Sequence, residues 1–178
     1  DNPRGYIEMD RPDISTYYIG ELPVADYEAQ ASSFSAYDDA AVIFTGRRGG
    51  EGGDLTQDMT EWDANAQPGQ HQLELNQDER DLIALAKDSF ETVVVVINAS
   101  TTLELGDLQN DPGVDAILLA GSPGATAFNA LGRILDGDVN PSGHTVDLWA
   151  ADFTKDPTYA NFGDFQYTNL APSYPVSV

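Results

Sequence analysis

The chain contains no cysteine. That excludes disulfides, a thiol nucleophile and thiolate metal sites, and it leaves the redox compartment open. Cations are scarce: 8 Lys and Arg stand against 30 Asp and Glu, a formal net charge of −22. A field of that sign repels phosphate, so nucleic acid and anionic membrane surfaces are excluded as partners. Histidine occurs only at His71 and His144, far apart in sequence, and each reads as a surface or turn residue rather than a ligand. Long apolar runs are missing too, since the longest, Val93 to Ile97, is too short to cross a bilayer. The chain opens Asp1-Asn2-Pro3 with no Met, and it reads as a processed piece of a longer protein.

What is present suffices for one domain with its own core, because 41% of the 178 residues are hydrophobic. The acids are dispersed, as on a solubilising surface; salt tolerance and calcium binding stay open as other uses of them.

Residues 1–22 are polar, with weak periodicity. Pro23 to Tyr37 spaces Val24, Tyr27, Ala31 and Phe34 along one helical face. Ala40 to Thr45 suits a buried strand, and 55–75 reads as one long loop. Asn76 and Glu79 form a capping-box start for a helix to about Phe90 that buries Leu82, Ile83, Ala86 and Phe90. Thr92 to Ile97 is apolar on both faces, as a central parallel strand must be. A short helix over 101–110, a strand over Asp115 to Ala120 and a helix from Ala125 to Leu135 follow, the last ended by Asp136-Gly137. Thr145 to Trp149 reads as an edge strand, and the last dozen residues as a tail or linker. Alternating strands and helices predict an α/β fold, with a mostly parallel sheet covered on both faces. In such sheets ligands bind beyond the carboxyl ends of the strands, so the loops after Thr45 and after Ala120 are expected to open on one rim.

Three motifs fall on or near that rim. Gly46-Arg-Arg-Gly-Gly-Glu-Gly-Gly-Asp54 surrounds Glu51 with glycine, which lets backbone turn tightly and other groups approach. No Gly-Lys-Ser/Thr ends it, it opens no helix, and its central carboxylate repels phosphate, so it is no nucleotide cradle. The chemistry that fits is general acid/base work by Glu51; a plain ion pair of Glu51 with Arg47 or Arg48 stays open. Glycoside hydrolysis needs two carboxyls, and this stretch supplies one in an unusual setting, with Asp54 three residues on. Ala120-Gly-Ser-Pro-Gly124 is a near miss to a nucleophile elbow, with Asp136 or Asp138 and His144 as the acid and base an esterase needs. Asp136-x-Asp138-x-Asn140 with Asp147 resembles a calcium loop, but Pro141 stands where glycine is required.

The chain resembles the C-terminal-type α/β sandwich domain of family 3 glycoside hydrolases, the β-glucosidase family. Four stretches carry the likeness: Asp39 to Phe44 leading into Arg47 and Gly50-Glu-Gly-x-Asp54; Leu75 to Phe90 followed by Val93 to Asn98; Val114 to Leu118 with Pro123-Gly124; and Leu135-x-Gly-Asp-Val-Asn-Pro-Ser-Gly143. It covers roughly residues 21–165, with 1–20 as a lead-in and 166–178 as a tail. The resemblance implies a three-layer α/β/α sandwich. It implies a retaining exo-acting β-glycosidase, first of all a β-glucosidase, acting on a β-linked glucoside or related oligosaccharide without a cofactor or metal. It places the acid/base at Glu51, sugar or loop-fixing contacts at Arg47 and Asp54, and the nucleophilic Asp on a separate (β/α)8 barrel domain. The isolated chain is then expected to be inactive. Ala125-Thr-Ala127 departs from the Gln-Glu-Gly that often follows Pro-Gly in the family. The stretch from Asp152 to Gly163 looks like members that carry this domain ahead of the barrel, and the usual first strand is not evident in 1–20. The rival reading is a non-catalytic carbohydrate-binding or interaction module.

Overall fold

The computed structural model describes residues 6–10, 17–47, 55–61, 63–121, 123, 124, 126, 128–156, 158 and 159, with the backbone course alone for 6–10 and 17–19. The motif residues 48–54, Ser122 and the tail from 160 lie outside them.

The centre is a parallel sheet in the order β3 (Ala41–Arg47), β4 (Val93–Ala99) and β5 (Ala116–Leu119). Parallel neighbours need crossovers. Helix α2 (Gln77–Ser89) lies between β3 and β4, and the single-turn α3 (Gly106–Gln109) lies between β4 and β5. Side chains alternate along a strand, so Ile43, Val93 and Val95 meet Ile83 and Ala86 of α2 and Leu108 of α3 on one face. Phe44, on the opposite face, meets Phe128 of α4 (Phe128–Leu135) edge-on, with ring centres 5.8 Å apart. Helices on both faces make the expected three-layer α/β/α arrangement. Val93 to Ile97 are all buried, as the β-branched run demands.

Asn76 and Glu79 close a reciprocal capping box. Helix α4 ends at Leu135, and two residues on, Gly137, with φ of 81°, suits the left-handed turn that stops a helix. Several elements differ from expectation. Residues 6–21 contain an antiparallel hairpin of β1 (Tyr6–Asp10) and β2 (Tyr17–Glu21), pairing Tyr6 with Glu21. The helix expected over Pro23 to Tyr37 is short, α1 (Val24–Glu28), followed by a 3₁₀ stretch at Ala31–Ala36. Three serines there compete for backbone hydrogen bonds, and Ser33 Oγ donates to Gln30 O at 2.7 Å. The edge strand expected at Thr145 to Trp149 does not form. Its alternation is real, but no ladder partner lies beside it among the described residues, and Val146 and Leu148 stand almost fully exposed.

Gly106 is where the return segment crosses α3. A Cβ there would meet Ala151 O at 2.7 Å, a backbone contact that cannot swing aside. Gly106→Ala is therefore expected to lower unfolding free energy by about 1–3 kcal/mol. Gly132→Ala, inside α4 with open space around its Cβ, should raise it by up to about 1 kcal/mol. Urea denaturation of the two variants checks the contrast in sign.

Candidate active site

Parallel register brings Arg47, Ala99 and Leu119 to the same carboxyl-end rim, with Arg47 opposite Ala99. The loops after β3 and β5 therefore leave from one edge of the sheet. Strand alternation explains where Arg47 points. It shares a face with Ile43 and Thr45, the face that α2 covers, and it lands beside the first turn of α2.

There the Arg47 side chain is 5% exposed and is held by the equally buried Glu79. Nη1 and Nη2 donate to Glu79 Oε1 and Oε2, each at 2.7 Å, a two-pronged match of fork to carboxylate. Nε donates to Gln72 O at 2.5 Å, Nη1 also to Gly46 O and Nη2 to Glu74 O, each at 2.7 Å. These bonds engage all five N–H donors of the guanidinium. Glu79 Oε2 accepts the Asn76 backbone N–H as well, at 2.9 Å. One carboxylate thus closes the helix cap and neutralises the arginine, at a helix N-terminus that favours negative charge. The root of the 48–54 loop is thereby tied both to α2 and to the long loop over 55–75.

Glu21, at the end of β2, is a second buried carboxyl. Burial pushes its pKa up, opposed by hydrogen bonds from the Tyr27 hydroxyl and the Leu22 N–H; the charges of Glu79 and Asp78 push it further up. Asp78 is also raised, first by burial and then by Asp63.

The long loop is built around His71, which is 2% exposed. This corrects the surface position expected for it, while the turn is there: Glu74 N–H donates to His71 O at 3.4 Å. Leu73 N–H donates to Nδ1 at 3.2 Å, so Nε2 carries the proton and faces Glu104 Oε2 at 3.2 Å. The same Glu104 oxygen accepts Phe153 N–H at 2.9 Å, and Phe153 and Tyr159 meet the imidazole edge-on. Glu104 N–H donates to Leu73 O at 2.8 Å. His71 and Glu104 thus bind the loop to the segments after β4 and after residue 150. His144 is exposed, as expected.

Of the expected site residues, Arg47 is at the rim, while Glu51 and Asp54 lie outside the described residues, as does Ser122 of the esterase alternative. Asp136, Asp138, Asn140 and Asp147 of the calcium-like motif are all exposed. Among the described residues no group of three His, Asp or Glu is placed to hold a metal. Sequence reading assigned Glu79 to the cap alone. Yet Glu79 is spaced with Ile83, Ala86 and Phe90 on the apolar stripe of α2, and a carboxylate there needs a buried cation.

A three-layer sandwich around a parallel sheet, whose strand β3 ends at Arg47 directly before the glycine-rich stretch in sequence, defines an α/β domain. The model for the glycosyl hydrolase family 3 C-terminal domain matches residues 10–177, and the chain belongs to that family. It is 29% identical over 140 residues to beta-glucosidase A of Butyrivibrio fibrisolvens, covering 72% of this chain and 17% of that protein. It is 32% identical over 135 residues to beta-glucosidase cel3A of Pyricularia oryzae, covering 74% of this chain and 18% of that one. A solved beta-glucosidase structure from Paenibacillus barengoltzii superposes with a TM-score of 0.65 at 25% identity, covering 82% of this chain and 15% of that one. The chain thus spans under a fifth of the length of these relatives.

Proposed function

We propose that this chain is the domain of a retaining exo-acting β-glycosidase, a β-glucosidase first of all, that supplies the acid/base Glu51. The single observation that carries the reading is the family match across residues 10–177 of a chain whose Gly50-Glu51-Gly52 puts Glu51 four residues after Arg47 in sequence. Glu51 protonates the glycosidic oxygen as the bond to the anomeric carbon breaks. It then takes a proton from the water that attacks the glycosyl-enzyme. The nucleophile belongs to a barrel domain of a longer protein. A retaining pair of carboxyls stands roughly 5–5.5 Å apart, so that barrel docks on the rim where the 48–54 loop leaves the sheet.

In this reading Arg47 fixes the root of the loop, since its donors are engaged by backbone and by Glu79, and Asp54 contacts the sugar or the loop. The experiment is a pair of assays on an aryl β-glucoside. The 178-residue chain alone is expected to show no turnover, and the longer protein that carries it is expected to show turnover. Hydrolysis by the chain alone would place both carboxyls within it and overturn the two-domain site. The rival, a non-catalytic sugar-binding or interaction module, would be favoured if Glu51→Gln left the longer protein fully active.

A further inference from the structure

Between the long loop and the start of α2 lies a surface pocket of about 350 Å3 that the mechanism above does not use. Its size is at the lower end of small-ligand sites, roughly 300–1,000 Å3. One wall is a turn over Gln67-Pro68-Gly69-Gln70, closed by Gln70 N–H to Gln67 O at 2.9 Å, with Gly69 at φ 84°. Proline followed by a positive-φ glycine makes this a stiff turn that fixes the two glutamines at its ends. Gln70 is tied further, since its Oε1 accepts Gln67 N–H at 3.1 Å and its backbone oxygen accepts Met59 N–H at 2.8 Å. The opposite wall is the first turn of α2, with Gln77 and Arg80, and Leu75 also lines the pocket.

The polar capacity left over is specific. Gln70 Nε2, Gln67 Oε1 and Gln77 Oε1 have no partner among the described residues, whereas Gln67 Nε2 donates to Asn65 O and Gln77 Nε2 to Asp81. Carboxamides thus offer both a donor and acceptors, held on separate backbone elements. Glu74 and Arg80 sit 3.6 Å apart and offset each other's charge in the pocket. The chain's field of −22 disfavours an anionic ligand, and a cation finds no free carboxylate among the lining residues, since Glu74 Oε1 accepts His71 N–H at 3.0 Å and Oε2 faces Arg80. An apolar ligand would leave the amides unpaired. A neutral polyol fits: its hydroxyls donate and accept, and its C–H face can lie on the exposed Pro68.

We infer that the Gln67–Gln70 turn and the start of α2 form a second binding site, for a neutral saccharide, lined by residues other than those of the 48–54 motif. The site stands on its own lining and is independent of the role of Glu51. Its test is a nuclear magnetic resonance titration of the full 178-residue chain with cellobiose, with putrescine as the cationic control. Cellobiose is expected to shift the side-chain amides of Gln67, Gln70 and Gln77 and the Gly69 backbone saturably. Gln70→Ala and Gln77→Ala should each weaken binding by about fivefold, the loss of one hydrogen bond. Gln77 is exposed and Gln70 half-buried, and unchanged backbone spectra of the variants would confirm their fold. No saturable shift at about 50 mM cellobiose, weaker than any useful affinity, would overturn the site. So would putrescine displacing cellobiose as the ligand, or shifts confined to residues 46–54 with both variants binding normally. That last result would leave the proposal for Glu51 intact.

Discussion

In the longer protein, Glu51→Ala is expected to cut kcat/KM on cellobiose by about 10²–10⁴-fold, the usual worth of a positioned general acid. An aryl β-glucoside with a strongly acidic phenol should lose far less in the first step, because its leaving group departs without a proton. The second step then becomes limiting, since no base remains to activate water. The variant should therefore accumulate glycosyl-enzyme and show a burst of phenol with a lowered KM. A uniform loss on both substrates would point instead to a collapsed loop, and near-wild-type turnover of cellobiose would remove Glu51 from the chemistry. The comparison rests on leaving-group acidity, so it separates acid/base function from damage to folding.

The second large effect concerns the root of that loop. Arg47→Ala would strand the Glu79 carboxylate, 5% exposed, with no cation beside it. Breaking one side of a buried ion pair costs roughly 3–5 kcal/mol, a large share of the roughly 5–15 kcal/mol that holds a domain folded. Glu79→Ala should cost at least as much, because it also opens the capping box with Asn76. Glu79→Gln should cost less, since an amide can still reach Asn76 N–H and accept one bond from Arg47. The double variant Arg47→Met/Glu79→Leu should recover part of the loss, because two apolar side chains leave no buried charge. Urea denaturation measures the series. A loss below about 1 kcal/mol for Arg47→Ala, the range of surface pairs, would show that the pair is solvated in solution and does not fix the loop.

Much of this fold was legible in the chain, for identifiable reasons. Val93 to Ile97 is apolar on both faces, and Asn76 with Glu79 announces a helix start; both signals are local and both elements form where expected. The hairpin over 6–21 was not legible, because neither Tyr6–Asp10 nor Tyr17–Glu21 alternates cleanly between apolar and polar residues. The sequence Thr145 to Trp149 does alternate, yet a strand is defined by a neighbour that composition cannot supply. His71 is a matter of distance in sequence. Its burial depends on Glu104, Phe153 and Tyr159, each more than thirty residues away, and nothing near His71 signals them. Arg47 lies between these cases. It was singled out as a neighbour of Glu51, and its direction follows from strand alternation with Ile43 and Thr45. Its partner Glu79 is visible only when the apolar stripe of α2 is read as a place where a carboxylate does not belong alone.

The proposed division of labour between two domains rests on Glu51 acting as acid and then as base on a covalent glycosyl-enzyme. The most direct measurement is the product formed by the Glu51→Ala longer protein from an activated aryl β-glucoside in the presence of azide. Azide needs no general base, so it should attack the waiting intermediate, speed turnover and yield the β-glycosyl azide with retained configuration. Turnover unaffected by azide, with glucose as the only product, would contradict the assignment of Glu51 as the acid/base.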